Sequence, residues 1–181
     1  LKEKIHQQRE KLVSNILNEP AYKSTATDTT NGWTFPTWLP KVCGTDQASI
    51  ILIGLSWMVQ QSNLDGAVQK KDVLALMRHF ADGILMMQFR SKGDKQDGAF
   101  LSWENLWHAY ANIQSYALLT AGQTLKDTAI INSAMYEVNT FYPSILSNGR
   151  LDHFSVRVKD GKAESYDAVT FPQIAYGVRP M

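Results

Sequence analysis

Five carboxylates stand where a helix begins or a loop turns: Asp46, Asp97, Glu104, Asp152 and Asp167. Two carboxyl groups on either side of an acetal bond can divide the work of cleaving it, one protonating the leaving oxygen and the other acting as base or nucleophile. Asp97 and Glu104 are the pair best placed by sequence for such a catalytic role. Gly98 lets the backbone turn closely beside Asp97, and the aromatics Phe100, Trp103 and Trp107 follow at once. Glu104 falls in the first turn of an expected helix, where the helix dipole favours its ionised form and suits it to act as a base or ligand acceptor. Each has a plainer reading. Asp97-Gly98 fits a turn in which Asp bonds its own backbone, Glu104 fits an ion pair with His108 one turn later, and Asp46 fits a helix cap.

Aromatic rings are the second resource. Trp103 and Trp107 lie one turn apart, and Trp33 and Trp38 sit in an earlier loop. Indole faces can stack on the apolar faces of sugar rings, with hydroxyl-binding neighbours in His108, Asn112 and Gln114. These four tryptophans, His108 and Asn112 are therefore the candidate substrate-binding residues. Core packing competes for every one of the tryptophans, because large aromatics dominate protein cores. Met77, Met86 and Met87 read as core filler. Glu104 and His108 have no third partner at a metal-ligand spacing, so no metal is expected, nor any other cofactor.

The bulk composition removes several function classes. Among 181 residues, 18 Lys and Arg nearly balance 17 Asp and Glu, with no long block of either sign. A nucleic-acid partner is not expected, because neutralising phosphates needs a basic stripe. Cys43 is the single cysteine, which excludes an internal disulfide and a cysteine-based zinc cluster. The longest apolar run, Ile50 to Leu55, is far shorter than the roughly 20 residues a membrane span needs. Leu1 opens the sequence without a signal-peptide pattern, which leaves export open; a periplasmic or secreted location is the working expectation.

The elements that must position these groups are mostly helices. Apolar periodicity predicts helices over about 2–18, 46–62, 69–89, 103–121 and 125–141, the fourth ending at Gly122 and the fifth closed by Pro143. From about 153 to 169 the pattern alternates around Asp160-Gly161, which predicts a small β-hairpin, and Phe171-Pro172 then opens a sixth helix. Connections alternate between short and long. The long, aromatic-rich links all precede even-numbered helices, so the elaborate loops gather at one end, where binding and catalysis tend to sit. Helices two and four are also the more apolar, as an inner layer would be. An ordinary helical bundle with decorated loops is the alternative.

Three stretches carry a family resemblance: Gly32-Trp33-Thr34-Phe35, Gly44-Thr45-Asp46-Gln47-Ala48, and Asp97 to Trp103 leading into Trp107 to Gln114. With the alternating links, the chain resembles the (α/α)-toroid, or six-hairpin, glycosidase-like proteins. The resemblance implies a mainly α fold of antiparallel helical hairpins forming part of a toroid. It also implies a glycoside-hydrolase-like activity on an oligo- or polysaccharide, in a groove over the N-termini of the inner helices. A polysaccharide lyase on the same scaffold and a non-catalytic glycan-binding module are the alternatives. The sequence provides two hairpins and most of a third. An incomplete ring would leave apolar helix flanks in water, so the expectation is a fragment of a longer protein, or else a homodimer.

Overall fold

The computed structural model describes residues 1–30, 32–61, 64, 68–94, 96–102, 113–147, 150–151, 155–159 and 162–166. It is mainly helical. α1 (Lys2–Asn18) leads through a 3-10 turn (Pro20–Lys23) into strands β1 (Thr27–Thr30) and β2 (Trp33–Pro36). A second 3-10 turn (Leu39–Val42) precedes α2 (Thr45–Gln60), and α3 (Lys70–Leu85), α4 (Ile113–Leu125) and α5 (Thr128–Tyr136) follow. A π-helical turn (Glu137–Phe141) carries α5 into the short α6 (Tyr142–Ile145), and then come the paired strands β3 (Leu146–Ser147) and β4 (Arg150–Leu151). β5 (Ser155–Lys159) and β6 (Lys162–Tyr166) pair antiparallel from Ser155↔Tyr166 to Lys159↔Lys162. That is the hairpin the alternating pattern predicts.

α2 is the central element, packed on α3 and on α4, and α4 in turn packs on α5. Its buried residues include Ala48, Leu52, Ile53, Leu55, Met58 and Val59, an arc wide enough to serve two neighbours. α3 buries Val73, Leu76, Met77, Phe80 and Ile84, the repeat of a single-faced helix. Each large side chain so buried stabilises the fold by about 1.5–3 kcal/mol. α1 contributes little: only Val13 is buried, while Ile5 and Leu12 stay 59% and 63% exposed. On α2, Ile50 and Trp57 are each 51% exposed, and a Cβ added at Gly54 between them would meet nothing.

Four boundaries differ from the sequence expectation. Thr27–Thr30 and Trp33–Pro36 form a hairpin, in register from Thr27↔Pro36 to Thr30↔Trp33, where a plain aromatic link was expected. Helix three stops at Leu85 rather than 89, because Met87 to Phe89 are drawn into pairing with another segment. Gly122 does not end α4. It lets α5 approach, since a Cβ there would lie 2.6 Å from Ile131 Cγ1, and the turn falls instead at Lys126, with φ 55°. Asp127 then caps α5, accepting from the Ala129 and Ile130 amides at 2.8 and 3.2 Å, and Arg78 donates to its other oxygen at 2.5 Å.

Pro143 does not close the fifth helix either. The Tyr142 amide reaches back five residues to the Glu137 carbonyl. This wide turn sets Pro143 near the start of α6, where its missing N–H costs nothing. Phe141 and Tyr142 are buried there, at 0% and 1% exposure.

Candidate functional site

The end of the molecule where α2 begins is assembled by backbone turns that free its first residues from capping. Cys43 takes a left-handed conformation (φ 61°) and Gly44 follows at φ 95°, which aims the chain abruptly into the helix. Gly44 is the cap residue, so Asp46, expected as a cap, lies with Thr45 inside the first turn. The buried Thr45 hydroxyl donates to the Leu101 carbonyl at 2.9 Å. Gln114, on α4, donates through its amide nitrogen to Thr45 Oγ1 at 3.1 Å and to Asp46 Oδ1 at 2.6 Å. Asp46 is half-buried, with its carboxylate oriented by this contact. Among the described residues, Gln114 Oε1 and the Ser49 hydroxyl are buried without a hydrogen-bond partner, a state that costs about 1–3 kcal/mol per group.

Leu101 reaches α2 because residues 99–101 pair antiparallel with 87–89. Phe89 donates to Ala99 at 2.8 Å, and Leu101 donates to Met87 at 2.8 Å. The intervening loop is closed by Asp97. The Ser91 amide donates to Oδ1 at 2.9 Å and the Tyr136 hydroxyl to Oδ2 at 2.6 Å. The Arg90 guanidinium lies 3.9 Å from the Tyr136 ring centroid, donating to Gln88 Oε1 at 2.5 Å and to Ser133 Oγ at 2.8 Å. Gln88 Nε2 donates to the Gly98 and Ser133 carbonyls, both at 2.9 Å. The hydrogen bond to Asp97, then burial and the carboxylate's charge, push the Tyr136 hydroxyl above its ordinary pKa, with Arg90 opposing.

Asp97, expected as a catalytic carboxylate, is therefore a tie between this loop and α5. It is 3% exposed, and both oxygens are engaged within the protein. Gly98 beside it (φ 96°) packs so closely that a Cβ would lie 3.2 Å from the Tyr136 carbonyl. Trp38, expected to bind substrate, is a core residue at 1% exposure, stacked at 4.6 Å on Phe80 and 5.5 Å from His79. It fills the space left by Gly83, where a Cβ would lie 2.2 Å from Trp38 Cζ2. Trp33 is less enclosed. It is half-buried, its ring leans on Phe89 at 5.9 Å, and its indole N–H donates to the Met86 carbonyl at 3.2 Å. Glu104, Trp103, Trp107, His108 and Asn112, as well as Asp152 and Asp167, lie outside the described residues.

Two acidic centres escape notice in the sequence. Glu137 is fully buried, accepting from the Phe100 amide at 3.3 Å and from the Ser115 hydroxyl. Burial first, and then the neighbouring Glu137 charge, push the Tyr142 hydroxyl far above its usual range, so it stays protonated. A lone Glu within the apolar stretch Ala134 to Phe141 was the available signal. On α3, burial lowers the His79 pKa against the pull of Asp82, and burial raises Asp82 against the pull of Arg78 and His79. Among the described residues no group of three or more His, Cys, Asp or Glu is placed to hold a metal, and no helix is long and apolar enough to cross a membrane. No family model matches the chain, and no curated protein matches it significantly.

Proposed function

We propose that the chain is a glycoside-hydrolase-like, carbohydrate-binding protein whose groove lies at the end where α2 begins, with Asp46 as its working carboxylate. The observation that carries this reading is the Asp46–Gln114 contact at 2.6 Å, which orients a half-buried carboxylate at the N-terminal end of α2. Trp33 adds a ring edge to the same end: its N–H holds Met86, and the adjacent Met87 holds Leu101, which accepts from Thr45. Asp46 replaces Asp97 in the pair of acids, and Glu104 remains the second acid on the sequence pattern. A toroidal arrangement of the hairpins belongs to this proposal.

The test is a screen of oligosaccharides for binding and for release of reducing ends, comparing wild type with Asp46→Asn and Trp33→Ala. The expected result is that Asp46→Asn lowers turnover about 100-fold or more while binding persists, and that Trp33→Ala weakens binding. Binding without turnover in every variant would support a glycan-binding module in place of a hydrolase. Unchanged affinity and unchanged turnover in both variants would remove this end of the molecule from consideration.

A further inference from the structure

A cleft of about 390 Å³ opens between α1, the 3-10 turn after it, and α3. Its lining divides by chemistry. Leu17, Val68 and Leu76 provide apolar surface, and Val68 and Leu76 are 2% and 5% exposed. Lys23, from the 3-10 turn, and Asp72, from the first turn of α3, bring one charge of each sign from different walls. Neither side chain makes an ion pair or hydrogen bond within the described residues, with each other or with anything else, and both are exposed. Ser14 and Asn18, two of the neutral hydrogen-bonding groups of the lining, are bonded to each other at 3.2 Å, and Tyr22 lines the cleft beside them. His79 also lines the cleft, and its Nε2 is buried without a partner among the described residues.

From this lining we propose that the cleft binds a small aliphatic zwitterion, a free amino acid with an apolar side chain. The unpaired ammonium of Lys23 matches a carboxylate, the unpaired Asp72 carboxylate matches an ammonium, and the apolar lining from Leu17, Val68 and Leu76 accommodates a branched hydrocarbon chain. Each charge-assisted contact is stronger than a neutral one, and a ligand carrying both charges satisfies both walls at once. A neutral sugar is the poorer match, because it carries no charge to answer Lys23 or Asp72. A multiply charged anion is poorer too, because Asp72 opposes it. Burial keeps the His79 ring neutral, so it adds no third charge. None of this depends on the carbohydrate groove.

The probe is L-leucine, titrated to about 10 mM and followed by calorimetry and by the NMR signals of the His79 ring. Two controls lack one charge each: 3-methylbutylamine and 4-methylpentanoate. Saturable binding of leucine is expected, at least tenfold tighter than either control. Lys23→Gln and Asp72→Asn should each weaken it at least tenfold without moving the melting temperature, since both side chains are on the surface. Leu17→Trp, which fills the cleft, should abolish it. The proposal is overturned if leucine shows no saturable binding or the single-charge controls bind as well. It is equally overturned if glucose competes, or if binding survives both charge substitutions.

Discussion

The segment from Gln88 to Leu101 and the face shared by α1 and α2 solve opposite problems. The first is polar in sequence, yet polar groups at both of its ends are closed to water: Gln88, Gln96 and Asp97 are 4%, 5% and 3% exposed, while Arg90, Lys92 and Gly93 at its tip stay exposed. It stays folded because its polar groups find partners from α5, foremost Tyr136 and Ser133. The second is apolar in sequence yet open, with Leu12, Ile50 and Trp57 at 63%, 51% and 51% exposure. Composition alone would have assigned these two regions the other way round. Burial follows from which neighbours arrive, and a polar loop can be sealed if every group is answered.

Substitutions can break or sharpen this contrast. The largest effect belongs to the core that both regions lean on: Trp38→Ala should cost about 3–5 kcal/mol, read as a drop in the denaturation midpoint. A cost below about 1 kcal/mol would mean Trp38 is not packed against Gly83 and Phe80. Next is Asp97→Ala, which strands the Ser91 amide and the Tyr136 hydroxyl and should cost about 2–3 kcal/mol. Asp97→Asn keeps a carbonyl oxygen for one of those donors and should lose less; equal losses would show that charge rather than hydrogen bonding holds the loop. Smallest is Trp57→Gln, expected within about 0.5 kcal/mol of wild type in a chemical melt. A loss several times larger would reveal that the open face is covered in solution.

Periodicity revealed the existence of the helices well, because burying a stripe demands a regular spacing whatever the partner is. It predicted 2–18 for α1, observed at Lys2–Asn18, and 46–62 for α2, observed at Thr45–Gln60. It misjudged Gly122 and Pro143 because each is decided by a neighbour, Ile131 in one case and a wide turn in the other. The β1–β2 hairpin was missed although its signal stands in the sequence: Asn31-Gly32 lies between a threonine run and an aromatic run. The site was harder. Trp33 and Trp38 look alike in sequence, and only the bare surface of Gly83, 45 positions from Trp38, draws one of them inward. The fate of Asp97 likewise rests on Tyr136, 39 residues away.

The wide turn at Glu137 bears on how this region can change. Adding one residue to a helical turn rotates everything beyond it by about 100° about the axis. Two bulky neighbours in sequence, Phe141 and Tyr142, are both enclosed on the far side of that turn. Deleting a single residue between Glu137 and Phe141 would restore ordinary helical phase, and with it swing one of those rings toward solvent. The length of this stretch is thus as constrained as its composition: a one-residue deletion here should be harder to tolerate than most single substitutions.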